Sequence, residues 1–313
     1  MFRDGRLAAV TTQIFALPER LKTPLDIVRL VGTLAPEGAV LTGWAAALLH
    51  GVRDAGPTMI RQTGTPIQIC LARDDNRTPN GFATLRVALD ADDVDIIDGL
   101  AVTCLARTAY DMTRFSNSVP QAVGVLDAFR CDLNPEVLGV DELAVRIERR
   151  PRGRGHPRLR YAIAVSSPRS RSVPEPVLRV RMISTLDLNV DDLLVNATLV
   201  GNQRRWELDL VDLTSGLVVE YDSVHHAPVE QRERDALKDV EVREVGMGIQ
   251  RINATTLGAD DRYLADFLRR GQRDARSRGG PSRARDLILG GRLAERPLRN
   301  YESAGQPDTL SDD

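Results

Sequence analysis

Five carboxylates and two imidazoles share one short stretch, ELDLVDLTSGLVVEYDSVHH, residues 207–226. Clustered carboxylates hold hard divalent cations such as magnesium through oxygen, and an imidazole moves protons near neutral pH. Metal-assisted hydrolysis is the chemistry these residue types allow. Thr214-Ser215-Gly216 is the turn signal between two apolar runs, and apolar and polar residues alternate on each side as in half-buried strands. A hairpin folded about Thr214 and Ser215 sets Asp209 opposite Glu220 and Glu207 opposite Asp222. Trp206, Leu208, Leu210, Val219 and Tyr221 then form the opposite, apolar face. A slip of one residue breaks this arrangement. Like charges opposed across a sheet are destabilising. At an effective dielectric of ~20, two unit charges 4 Å apart repel by ~4 kcal/mol. Proton uptake relieves that repulsion, and so does a bound cation. A solvated acidic hairpin face is the plainer alternative.

The chain that must position these groups has 313 residues, enough for two domains with a core each. Hydrophobic residues make up 42% and charged residues 27%, the balance of an ordinary globular protein. A formal net charge of −2 gives no whole-molecule electrostatic argument for a partner. Nearly all cations are arginine, with lysine only at Lys22 and Lys238. Cys70, Cys104 and Cys131 are odd in number and widely spaced, without a C-x-x-C zinc pattern. They read as free, buried thiols in a reducing cytosol. Neither a signal peptide nor an apolar run long enough to span a bilayer is apparent, so the expectation is a cytoplasmic protein with no membrane partner.

An α+β N-terminal domain is expected over residues 1–147. Thr23 caps a helix with Pro24 at its first position. Thr42 caps a helix rich in small residues that ends at Gly51. Strands follow in PIQICLA and LRVALDADDVDIIDGLAVTCL, then helices in ARTAYDMTRF and QAVGVLDAFRC. Residues 148–173 read as an arginine-rich linker, in which PRLRYAIAV can form a short helix. A second domain is expected over 174–270: a helix in PEPVLRVRMISTL, the acidic hairpin, a helix in QRERDALKDVEVREVG, a strand in IQRINATTL and a last helix in DDRYLADFLRR. A scarcity of apolar residues makes 271–313 a predicted disordered tail.

The order of chemistry-bearing residues in the second half resembles a known family. Glu175 lies on the leading helix, and Asp209 comes next. EYDSVHH, DALKD and VREVGMGIQRI follow. This set is similar to the very-short-patch-repair (Vsr)-like branch of the PD-(D/E)XK nuclease superfamily, with its E-x-D-G-x-x-H, D-x-x-R-D and L-x-x-x-G-x-x-x-x-R segments. Glu220, Asp222, His226, Asp235, Lys238, Asp239, Gly246 and Arg251 fall into its register, over about residues 165–270. Ser223 stands where the family has Gly, Lys238 where it has Arg, and Val242 where it has Leu. Asp222 takes the third position of the E-x-K core, so no catalytic lysine stands there.

The resemblance implies an α/β/α restriction-endonuclease-like domain with a mixed central sheet, hydrolysing DNA phosphodiester bonds. It implies a magnesium or manganese ion on Asp209 and Glu220, with Glu175 or Asp222 as further ligands and His226 moving a proton or contacting phosphate. Lys238 and Arg251 contact phosphate or support the carboxylates; Glu207 and His225 read as surface residues and Asp235 as structural.

The first half carries a second resemblance. LTGWAAALLHG followed by VTCLARTAYDMTRF looks like the core of AbiEi-type antitoxins and transcriptional regulators. Trp44 and His50 there read as packing and capping residues, and Arg107 with Asp111 as a surface i,i+4 pair. The tract from Arg149 to Arg171 holds eight arginines and no acid. Arg152, Arg154, Arg158 and Arg160 in it can neutralise DNA phosphates with salt-dependent, sequence-blind affinity, or form a solvated linker. Two functional readings follow: a metal-dependent endonuclease acting on DNA, or a non-catalytic DNA-binding regulator or antitoxin carrying a degenerate nuclease fold.

Overall fold

The computed structural model describes residues 8–9, 15–17, 23–53, 66–201, 204–222 and 229–298. The chain is an α+β protein of two compact units, Met1–Val190 and Asp191–Asp313, each with a mixed five-stranded sheet. Among the described residues there are eleven α-helices, and none is long and apolar enough to cross a membrane.

The first unit begins with a short antiparallel pair, β1 (Ala8–Ala9) and β2 (Phe15–Ala16). Helix α1 (Pro24–Gly32) starts as its sequence predicts: Thr23 Oγ1 accepts from the Asp26 N–H, and the Asp26 carboxylate accepts from the Thr23 N–H. Strand β3 (Val40–Thr42) runs directly into α2 (Gly43–Leu49). Thr42 occupies the N-cap position but does not cap; its hydroxyl accepts from Thr103 Oγ1 at 3.1 Å instead. His50 ends α2, with Nε2 2.9 Å from the Thr103 carbonyl, and Trp44 is buried in the core. Strands β4 (Ile67–Leu71), β5 (Phe82–Arg86), β6 (Val94–Ile97) and β7 (Leu100–Thr103) complete a sheet ordered β5-β4-β3-β7-β6. Asp98 and Gly99, both at positive φ, form the two-residue turn between β6 and β7.

Helices α3 (Leu105–Arg114), α4 (Val119–Arg130), α5 (Val140–Arg149), α6 (His156–Val165) and α7 (Pro174–Leu186) share one apolar core around Tyr110, Leu126, Phe129, Leu143 and Leu159. Two expected boundaries are corrected here. Residues 148–173 are not a linker, and the helix expected to lead the second domain belongs to the first unit. Helix α6 buries Leu159, Ala162 and Val165. The arginines that suggested a solvated segment are answered by acids and carbonyls distant in sequence. Arg150 donates to Asp90, Arg171 to Asp132, and Arg158 to the carbonyl of Ser116 near the end of α3. Arg107 and Asp111 do pair, at 2.6 Å, but the pair is buried rather than on the surface.

Gly155 opens α6 at φ +84°, and a Cβ there would sit 2.1 Å from the Arg114 carbonyl oxygen. Backbone conformation and close approach both demand glycine. Gly155→Ala should therefore destabilise the first unit by about 2–4 kcal/mol, read as a lower urea midpoint at unchanged m-value.

All three cysteines are free, with Cys70 and Cys131 buried and Cys104 half-buried. Burial and the negative charge of Asp111 push the Cys70 thiol up to about 11. Native Cys70 should stay unmodified by a thiol reagent at about pH 8 and react only on unfolding, as peptide mapping would show.

In the second unit β8 (Leu193–Val200), β9 (Arg205–Asp212) and β10 (Leu217–Tyr221) form an antiparallel meander. Helix α8 (Val229–Glu244) then crosses to β11 (Gly248–Ile252), which pairs parallel to β10. Helices α9 (Ala254–Gly258), α10 (Asp261–Ser277) and α11 (Gly280–Leu289) follow, and β12 (Leu293–Glu295) pairs antiparallel with β8. The sheet order is β11-β10-β9-β8-β12. Val242 of α8 and Ala284 and Leu287 of α11 pack with Trp206, Leu208 and Val218. On the opposite side α10 lies against Leu217 and Gln250, where a Cβ on Gly271 would be 2.3 Å from Gln250 Oε1. Helices thus cover both faces of a mixed sheet.

Part of the predicted disordered tail is folded: residues 271–298 complete α10 and form α11 and β12, burying Ala275, Ala284, Leu287 and Leu293. These apolar residues are few, but each is spaced to meet the sheet. The many polar residues between them hide that spacing.

Candidate active site

The hairpin that carries the carboxylates folds in the expected register. Leu217, Val218 and Val219 lie opposite Asp212, Val211 and Leu210. The turn is held by Asp212, whose buried carboxylate accepts from the Thr214 N–H and hydroxyl, the Ser215 hydroxyl and Gln272 Nε2. Sequence reading passed over Asp212, although an Asp two residues before Thr in a turn is the Asx-turn pattern.

The strand ladder stops before it reaches Asp209 and Glu220. On its other edge β10 stays paired with β11 along its whole length, with Glu220 beside Arg251 and Tyr221 beside Ile252. Asn196, across from Asp209 on β8, has φ +48° and drops out of the pairing. The inward face of the sheet changes parity there, so that Trp206 and Leu208 share a core with Val211 and Val218. The expected continuous apolar face through Leu210 and Val219 is corrected accordingly. At this parting of strands the two acids bond main chain rather than standing face to face. Glu220 Oε1 accepts from the Asp209 N–H at 3.2 Å, and Asp209 Oδ2 accepts from the Tyr221 N–H at 2.8 Å. Reciprocal bonds hold the two carboxylates as neighbours.

The other two acids of the expected quartet do not join them. Glu207 is exposed and opposite Thr198 on β8. Asp222 is exposed beyond the end of β10, its N–H donating to the Ile252 carbonyl. Glu175 lies in the first unit, where its carboxylate accepts from the Arg171 N–H at 3.0 Å and the Ser172 hydroxyl at 2.8 Å. His225, His226 and Ser223 lie outside the described residues.

Lys238, on α8, donates from Nζ to Glu220 Oε2. Both side chains are nearly buried, at 11% and 8% exposure. Burial pushes the Glu220 carboxyl above the ordinary carboxylate range; the Lys238 charge works against this and the adjoining Asp209 charge adds to it. Arg251 Nη2 donates to Asp239 at 2.8 Å and to the Asp235 carbonyl at 3.3 Å, tying β11 to α8 beside Lys238. Burial opposes the Arg251 charge, yet the Asp239 carboxylate holds its pKa above the ordinary value.

Asp209 and Glu220 fit a hard divalent ion. They offer anionic oxygens anchored by main-chain N–H groups, and among the described residues Asp209 Oδ1 makes no hydrogen bond. In the first unit Asp90, Asp92 and Asp93 bring oxygens within 4.8 Å of one another, a spacing a metal ion can use. Each is already held by a guanidinium group: Asp90 by Arg150 at 2.8 Å, Asp92 by Arg149 at 2.6 Å, and Asp93 by Arg107 and Arg146.

The arginines expected to reach DNA divide into two kinds. Arg152, Arg154 and Arg160 are exposed, whereas Arg158 is half-buried and committed to carbonyl oxygens. No family model, curated protein or solved structure matches the chain.

Proposed function

We propose that the second unit is a metal-dependent endonuclease that hydrolyses phosphodiester bonds in DNA. The observation that carries this reading is the grouping of Asp209, Glu220 and Lys238 where β9 and β10 part. Two carboxylates and an ammonium group gather where the main-chain ladder between these strands ends, each carboxylate held by a main-chain N–H of the facing strand. The resemblance to Vsr-like nucleases gives the same residues their roles.

A magnesium or manganese ion on Asp209 and Glu220 would polarise the phosphodiester and lower the pKa of an attacking water. Lys238 holds Glu220 in place and offers further N–H donors to a phosphate oxygen. Arg251 is a positioning residue: its bonds to α8 fix the helix at the level of Lys238. The buried Glu220 carboxyl, raised above its ordinary pKa, ionises late. Metal-dependent cleavage should therefore rise as pH increases from the acid side.

The test is cleavage of plasmid, linear and mismatched DNA by the purified chain with magnesium or manganese, beside an Asp209→Ala control. Cleavage that requires metal and disappears in the variant supports the reading. Equal behaviour of the two proteins on all substrates would overturn it and leave the regulator reading, tested by salt-dependent DNA binding.

A further inference from the structure

The first unit contains a cavity of about 650 Å³ whose wall carries Arg73, Arg107, Arg114, Arg150 and Arg152 but no carboxylate. Five arginines on one wall are costly unless anions answer them. Behind the wall Asp93 and Asp111 hold Arg107, Asp111 holds Arg114, and Asp90 and Asp93 hold Arg150. With Arg146, which also leans on Asp93, four guanidinium groups share three carboxylates. Among the described residues Arg73 and Arg152 form no ion pair, and the buried Nη1 of Arg150 has no hydrogen-bond partner. Positive charge is left over, carried on the cavity wall by the exposed Arg73 and Arg152.

We propose that this cavity binds the terminal phosphate of a small phosphorylated molecule. Arginine forks match phosphate oxygens in pairs. The volume falls within the roughly 300–1,000 Å³ of small-molecule sites, so a phosphate leaves space for further phosphates or an organic body. Depth separates this ligand from the backbone of a DNA duplex. Arg107, one of the wall residues, is only 1% exposed. An internal phosphodiester carries one charge and is flanked on both sides by its chain. A terminal phosphate carries about −1.5 to −2 and enters end-on. Arg150 and Arg152, which in the sequence belong to a tract suited to coating DNA, are folded into the cavity wall instead.

The proposal is tested by calorimetry and thermal shift on the full chain in EDTA, which keeps divalent ions at the second unit out of the measurement. The probes are ATP, inorganic tripolyphosphate, adenosine and an unphosphorylated duplex. ATP or tripolyphosphate is expected to bind and raise the melting temperature, and adenosine is not. An Arg73→Ala/Arg152→Ala variant, altered only at exposed and unpaired side chains, should keep its ligand-free melting temperature and lose about tenfold or more in affinity. Failure of both phosphate probes to bind at millimolar concentration would overturn the proposal. So would equal binding by the variant, or loss of duplex binding in the variant without competition by ATP.

Discussion

Asp93→Ala is expected to destabilise the first unit by about 3–5 kcal/mol, the cost of stranding buried positive charge. The Asp93 side chain is fully buried and accepts from Arg107 and Arg146, themselves 2% and 9% exposed. Arg150 approaches it at 3.2 Å, and the Asp90 N–H donates to it at 3.0 Å. Arg107 would keep Asp111, but Arg146 would be left with the Cys104 sulfur as its remaining partner among the described residues. Asp93→Asn retains the shape and the Asp90 bond but not the charge, so its cost should be smaller. Burial alone would raise the Asp93 pKa, but the Asp90 N–H and the two guanidinium groups outweigh it and hold the pKa below the ordinary value. A depressed carboxyl contributes stability that is fully present above its unfolded pKa of about 3.9 and is lost as pH falls through the lower, folded value. The difference between wild type and Asp93→Asn should therefore be flat above about pH 5 and shrink on acidification. Trp44 lies in this unit and Trp206 in the other. Urea unfolding followed by Trp44 fluorescence in a Trp206→Phe background measures the effect. A cost below about 1 kcal/mol, typical of exposed ion pairs, would mean that Asp93 does not hold the network.

The same network shows where the sequence stops being informative. Helix starts and turns are local, so Thr23, Pro24 and Thr214-Ser215-Gly216 read correctly from neighbouring residues alone. The hairpin register followed from its turn and its alternation. Its end did not, because β9 leaves β10 before Glu220 while β10 stays paired with β11, and β11 lies beyond a whole helix. The face switch beside Asp209 depends on a left-handed Asn196 one strand away. The arginine tract misled for a similar reason. Runs of cations look solvated unless their partners are known, and the acids that answer Arg149, Arg150 and Arg171 are 39 to 60 residues distant. Thr42 sits in the capping position, yet its hydroxyl accepts from Thr103 instead of capping the helix. In the candidate site Asp209 and Glu220 were legible as a pair, whereas contact between Lys238 and Glu220 depends on how α8 crosses the sheet.

Removing Lys238 should have two separable consequences, one for folding and one for cleavage. Lys238→Ala strands a buried carboxylate, and Glu220→Gln strands a buried ammonium group. Each single change should cost about 3–5 kcal/mol if the remaining charge persists, and less where it can neutralise. Glu220 can neutralise, because burial already favours its protonated form. Lys238→Ala should thus be the milder variant, and the double variant Glu220→Gln/Lys238→Ala should be less destabilised than the sum of the singles. Cleavage should follow a different order. A protonated Glu220 is a poor metal ligand, and losing Lys238 raises its pKa further. Lys238→Ala should lower cleavage by about 100-fold near neutral pH, within the range for removing a positioned charged group, and shift the rising limb of the pH profile to higher pH. Lys238→Arg restores a cation with different geometry and should recover part of the rate and return the limb toward its original position. Glu220→Gln cannot ionise, so no pH should rescue it. Melting temperatures on the same samples separate unfolding from lost chemistry. If Lys238→Ala keeps the wild-type pH profile and rate while its stability falls, the lysine only neutralises a buried acid. The metal-dependent reading would then rest on Asp209 and Glu220 alone.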